Sequence, residues 1–247
     1  MTKLGSGLVK LALAVGLLTP LVLLVSAVLT KIGVLDWRLG YSKIALAWTP
    51  ILSMVGVGLG LAAVVLAFFV LRQARLSALV ALLAPAATLI GLTLYDAKVT
   101  AEPPVHDVAT TWEDPIMLSR TFAAERGPGD NPVEENPLIP ASVGGSWAGK
   151  RVAEANAAAC PGARTIPTLV DADKVQAAIE KMGGRVYGKQ VFRVEAVFDT
   201  FWFGFTDDVA IRIRPGETDI RSISREGQAD GGRNCRRVTA LVQALSW

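Results

Sequence analysis

The sequence holds a single histidine, His106, and only two cysteines, Cys160 and Cys235, in 247 residues. No cluster of acids or histidines at ligand spacing accompanies the Asp207-Asp208 pair, so neither a metal nor a cofactor is expected. No Ser or Cys stands in a nucleophile motif, which removes the common hydrolase templates. Acidic residues are almost missing up to Tyr95, where Asp36 alone faces Lys3, Lys10, Lys31, Arg38, Lys43, Arg72 and Arg75. Of the 25 basic and 22 acidic residues in the chain, 18 and 21 fall after Tyr95, so the two parts carry +6 and −3. The basic surplus belongs to the apolar part, where Lys and Arg set topology, and this excludes a nucleic-acid-binding surface. Charge is also missing from the interior of three long apolar runs, which leaves no ion or proton path and argues against a transporter.

Those runs, residues 8–29, 44–71 and 76–94, are each long enough as helices to span about 30 Å of hydrocarbon. The first exceeds the roughly 7 to 15 residues of a signal-peptide core and is followed at once by a second span, so it reads as an uncleaved helix. Residues 1–95 thus form a membrane anchor in the lipid bilayer. Arg72-Gln-Ala-Arg75 is a tight turn whose two positive charges predict a cytoplasmic tip. The N-terminus then shares that side of the bacterial inner membrane, and everything after Tyr95 is expected in the periplasm. Gly56 and Gly60 make a Gly-x-x-x-Gly face for close helix approach, either to neighbours in the anchor or to another subunit.

Residues 96–146 are rich in Pro, Gly, Asp and Glu without helical or strand period, and read as a wrapped linker. Residues 147–247 read as an α+β outer domain. Gly149 to Cys160 and Asp171 to Met182 are predicted helices, the second with Val175, Ala178, Ile179 and Met182 on one face. Val191 to Thr200, Asp208 to Arg214 and Asp219 to Arg225 are predicted strands, and a helix from about Arg233 closes the chain on Val238, Leu241, Val242 and Leu245. The expected architecture is an antiparallel sheet covered on one face by helices, with the other face available. Cys160 and Cys235 permit one intramolecular bond, worth roughly 3 to 5 kcal/mol by loop closure; two buried free thiols are the alternative.

Three stretches carry a resemblance: His106 to Pro115, Thr200 to Ile213, and Asp219 to Arg225 with Gly227 to Arg237. Together they resemble the bacterial family catalogued as domain of unknown function 1499, and the three-helix anchor is similar to its membrane-bound members. The resemblance covers most of residues 103–245 and implies no established activity.

Site candidates follow from side-chain chemistry. With a turn at Pro215 to Thr218, Arg214 would face Asp219 and Arg212 would face Arg221. Like charges opposite each other call for a carboxylate between them, from Glu195 or Asp199, or for a bound anion; Arg225, Arg233 and Arg237 are near in sequence. The loop through Asp230 to Asn234 leads into the last helix, where it either attracts an anion or caps the helix. Asp207 and Asp208 offer carboxylates, and His106 stands beside Asp107. Phe198, Phe201, Trp202, Phe203 and Phe205 form a dense aromatic run, with Trp202 a candidate for a pocket or the bilayer interface. The leading expectation is a non-catalytic module that binds an envelope protein or an anionic ligand on Arg212, Arg221 and Arg225. A hydrolase or metal-dependent enzyme using Asp207, Asp208 and His106 is the alternative, and a structural subunit meeting its complex through Gly56 and Gly60 is the third.

Overall fold

A computed structural model describes residues 2–246. It divides into two compact units: Met1–Ala97 with Phe201–Gly204, and Lys98–Thr200 with Phe205–Trp247.

The first unit is built on three helical spans: α1 (Thr2–Lys31), a π-helical segment Arg38–Trp48 that runs into α2 (Thr49–Phe69), and α3 (Arg75–Thr100). Lys3–Lys31, Arg38–Phe69 and Arg72–Thr100 are each long and apolar enough to cross a membrane. Their mutual contacts use small side chains: Ala12, Ala63, Ala67, Ala78 and Ala81 are buried together with Val9 and Leu71. Small residues let helix backbones approach closely where lipid removes any hydrophobic drive to associate. Gly56 and Gly60 lie on the face of α2 turned to α3. A Cβ at Gly60 would stand 2.6 Å from Leu82 Cα, and one at Gly56 would stand 2.9 Å from the Pro85 ring. Several hydroxyls inside the spans bond to helix carbonyls, as Thr49 Oγ1 does to Ile44 O at 2.7 Å, whereas Ser53 Oγ is buried without a partner.

In the second unit five strands form one antiparallel sheet in the order β1-β5-β4-β3-β2. They are β1 (Asp107–Ala109), β2 (Arg185–Gln190), β3 (Arg193–Asp199), β4 (Thr206–Arg214) and β5 (Glu217–Ser224). The helices are the single turn α4 (Arg120–Ala123), α5 (Val152–Ala159), α6 (Ala172–Lys181) and α7 (Arg233–Leu245). Val194, Ala196, Val209, Ile211, Ile213 and Ile220 project from one sheet face against Val175 and Ile179 of α6 and Val238, Leu241 and Leu245 of α7. This is the expected α+β layer, alternate residues pointing inward from each strand. Asp171 caps α6, accepting from the Asp173 and Lys174 amides at 2.7 and 3.3 Å. Cys160, next to the end of α5, is disulfide-bonded to Cys235 in α7, which sets aside two free thiols.

Three expectations need correction. The opposite sheet face is not available: the segment after β1 runs across it, with Ile116 and Phe122 fully buried, Ile116 O accepting from Arg221 and Ser119 bonded to Glu195. The β4–β5 register is offset by two residues, so Arg212 pairs Asp219, Arg214 pairs Glu217 and Arg221 pairs Ala210. Across β4–β5 no like charges face each other, because Pro215-Gly216 alone makes the turn; Pro presets the first residue and Gly216 supplies φ 86° at the second, while Arg212 does face Arg193 of β3. The strand expected from Val191 starts at Arg193, and Val191 and Phe192 form the exposed β2–β3 turn instead.

Candidate functional site

Asp207 and Asp208 are adjacent near the start of β4, so their side chains leave opposite faces of the sheet, and both are fully buried. Each is held by two arginines. Arg233 grips Asp207 through two parallel bonds, Nε to Oδ2 at 2.7 Å and Nη2 to Oδ1 at 2.8 Å, and Arg237 adds Nη2 to Oδ2 at 2.7 Å. Burial alone would raise the Asp207 pKa, but the two α7 guanidiniums outweigh it and hold the carboxyl below its ordinary value. On the other face Arg225 donates Nη2 to Asp208 Oδ1 at 2.7 Å, and Arg126 from the covering segment also donates to Asp208.

The remaining predicted arginines are also paired. Arg221, 0% exposed, donates Nε and Nη2 to the two oxygens of Asp107 at 3.1 and 2.6 Å, and Nη1 to Ile116 O at 2.9 Å. Its guanidinium also lies 5.2 Å from the Trp112 ring centre. Arg212 and Arg214 share Asp219, each at 3.1 Å, and share the exposed Asp114. Arg214 bonded to Asp114 keeps that carboxyl below its usual range. Buried charge of this density is tolerated only when each group finds an opposite charge and hydrogen bonds.

At the start of α7, Asp230 accepts from the Asn234 and Gly232 amides at 2.9 and 2.7 Å, occupying the helix N-terminus itself. Burial raises its pKa. Asn234 bridges strands rather than capping: Nδ2 donates to Ser224 Oγ and His106 O, both at 2.9 Å, and Oδ1 accepts from Ser222 and Arg237. These contacts tie β5 and the residue before β1 to α7.

A family profile described as Protein of unknown function (DUF1499) matches residues 107–245. The chain belongs to that family. No curated protein and no solved structure matches it. The matched DUF1499 region opens on Asp107, the partner of Arg221, and closes at the end of α7, so it contains both partners of the ion pairs at Asp107, Asp207 and Asp208 and none of the apolar spans.

His106, just before the matched DUF1499 region and β1, lies apart from the two β4 carboxylates, with β5 between β1 and β4. His106 Nδ1 is 3.4 Å from Gln228 O. The two β4 carboxylates cannot converge on it together, because they occupy opposite faces. Sequence reasoning passed over three participants: Arg126, Asp107 as an ion-pair partner, and Glu226. Burial first, with Asp130 and Asp207 adding to it, pushes the Glu226 pKa up to about 7, while its carboxylate accepts the Thr206 amide at 2.9 Å. Among the described residues no group of acids, histidines or cysteines is arranged to hold a metal.

A separate concavity of about 280 Å³ opens between the loop before α6 and the end of β2. Leu169, Val170, Val191, Asp171, Asp173 and Lys189 line it. Leu169 and Val191 are 57% and 84% exposed, and Phe192 beside them is 61% exposed.

Proposed function

We propose that the chain is a non-catalytic interaction module, held in the bacterial inner membrane with its second unit in the periplasm, and that a protein partner docks in the groove beside β2. The observation that carries this reading is open space of about 280 Å³ lined by exposed Leu169 and Val191, with exposed Phe192 next to Val191 in the chain. Large apolar side chains collected at a concavity mark a surface that something covers. An apolar anchor from the partner suits the floor, while Asp171, Asp173 and Lys189 form a polar rim. Docking of a side chain is favoured over addition of a strand, because Lys189 and the irregularity between Val186 and Gly188 blunt the β2 edge. The orientation is supported by Arg72 and Arg75 at the hairpin tip and by the Cys160–Cys235 bond, which persists in oxidising compartments.

An anionic ligand at Arg212, Arg221 and Arg225 is the weaker reading, since it must displace Asp219, Asp107 and Asp208 from arginines with which they are already ion-paired. A subunit contact through Gly56 and Gly60 meets the same objection, since α3 fills that face. A photoreactive amino acid placed at Val191 in intact cells tests the proposal. The expected result is a discrete protein adduct that disappears with Leu169→Asp and survives Arg214→Gln. An adduct that survives Leu169→Asp, or one that forms equally from exposed Leu138, would overturn it. Loss with Arg214→Gln alone would shift the reading to the arginine face.

A further inference from the structure

We infer that the loop Phe201–Gly204 is a membrane-interface foot, with Phe201 and Trp202 seated in the headgroup layer of a phospholipid bilayer. These four residues belong to the first unit by their contacts. Lys31, the last residue of α1, donates Nζ to Phe201 O at 2.9 Å and stands 4.8 Å from the centre of its ring. Phe203 packs edge-on against Tyr41 at 5.1 Å, and Tyr41 shares a hydroxyl hydrogen bond of 2.9 Å with Tyr95 near the end of α3. Lysine at the end of an apolar span against Phe201, with Trp202 packed on that ring and Phe203, Tyr41 and Tyr95 in contact in series in the same unit, is the composition of the bilayer–water boundary, where amphipathic rings and extended ammonium groups are both satisfied.

Two further observations separate this from ordinary packing. Phe201 and Trp202 are 74% and 58% exposed, as are the apolar Ile32 and Val34 just beyond the first span, both at 64%. Phe203 also adopts φ 63°, uncommon for a residue with a side chain, and Gly204 follows at φ 69° with its backbone against Lys31, where a Cβ would stand 3.0 Å from Lys31 Cα. Such a backbone persists where a particular presentation of side chains is required. Here it turns the Phe201-Trp202 pair, edge to face at 5.1 Å, outward beside the end of the span. The inference rests on the first unit spanning a bilayer and is independent of the groove beside β2.

The test uses the full chain in vesicles of phosphatidylcholine and phosphatidylglycerol, with bromine carried near either the headgroup end or the methyl end of the acyl chains. The emission of the parent protein minus that of Trp202→Phe isolates Trp202, and an aromatic ring is kept at the exposed position. Bromine near the headgroups should quench this component roughly twofold, as expected for a ring in the interfacial belt. Bromine near the methyl ends should leave it almost unchanged, and acrylamide should quench it less than free tryptophan. Full acrylamide access without bromine quenching would overturn the inference, as would quenching only from the deep position. Flotation with the vesicles checks the anchor separately, and failure to float would overturn both.

Discussion

Replacing Arg221 by Met should destabilise the second unit by about 3 to 5 kcal/mol, the usual loss when one partner of a buried ion pair is removed. Arg221 and Asp107 are 0% and 1% exposed as side chains, so the surviving carboxylate would have no water to turn to. The same change leaves Ile116 O and Glu134 O without their donor, roughly 1 kcal/mol or more for each buried carbonyl. Against a total stability of about 5 to 15 kcal/mol, the single variant approaches the threshold of folding. The double variant Asp107→Leu with Arg221→Met removes both charges and leaves only the carbonyls, so it should regain about 2 to 3 kcal/mol. Denaturant unfolding of the full chain, with hydrogen exchange followed at the β1 and β5 amides, reads both effects. A single variant costing under about 1 kcal/mol, or a double variant no better than the single, would show that the charge pairing inferred from burial is not what holds these strands.

Inside the anchor, Gly60→Ala should loosen the α2–α3 contact by about 1 to 3 kcal/mol because its Cβ meets Leu82 Cα, whereas Gly58→Ala, with nothing within 4 Å, should be neutral or slightly stabilising; thermal unfolding in micelles separates the two. Reducing Cys160–Cys235, or Cys235→Ser, opens a closure of 75 residues and should lower the stability of the second unit by up to about 4 kcal/mol, and a membrane-impermeant thiol reagent should label intact cells only after reduction. Labelling without reduction after lysis would instead put that unit in the cytoplasm. Glu226 gives a pH signature: a carboxyl raised from 4.5 to about 7 favours the protonated fold, so its contribution is complete below the ordinary value and is lost as pH rises through about 7. The shift corresponds to at most about 3 kcal/mol, or roughly 1 to 2 after allowing for solvent screening of a partly exposed group. Glu226→Gln should therefore match the parent near about pH 4 and exceed it by that amount near about pH 8; a pH-independent difference would refute the assignment. Buried Asp230, also raised, works in the same direction, while Asp207, held low by Arg233 and Arg237, loses its contribution only as pH falls.

The parts of the fold legible in the sequence are those with their own period. Three uncharged runs gave the spans, and the 3.6-residue stripes of α6 and α7 marked their buried faces. The β4 and β5 alternation fixed which residues share a face but not the register, because a slip of two residues leaves every face unchanged. Only the turn decides it, and Pro215-Gly216 is compatible with either length until the left-handed Gly216 is seen. Strand β2, Arg-Val-Tyr-Gly-Lys-Gln, lies at an edge with little burial and so leaves no apolar alternation. The cover on the far sheet face rests on isolated Ile116 and Phe122, which no periodicity connects. Among site residues, the arginines were legible as a concentration of one charge, but their partners were not. Arg126 reaches Asp208 across 82 residues, and Asp107 reaches Arg221 across 114.

That pairing changes where a function should be sought. A cationic sheet face read from sequence is, in three dimensions, a set of clamps: Asp207 joins β4 to α7, Asp208 joins β4 to the covering segment and the end of β5, and Asp107 joins β1 to β5. Each clamp exchanges hydration for geometry, so removing one charge costs far more than the intact pair contributes. Residues under that constraint are poorly suited to release their partners to a ligand. Side chains that could meet a ligand without such a cost lie elsewhere: Leu169 and Val191 at the groove, and Phe201 and Trp202 beside the end of α1. Substitutions there should change association while leaving the unfolding midpoint of the second unit within about 0.5 kcal/mol of the parent, whereas substitutions in the clamps should do the reverse.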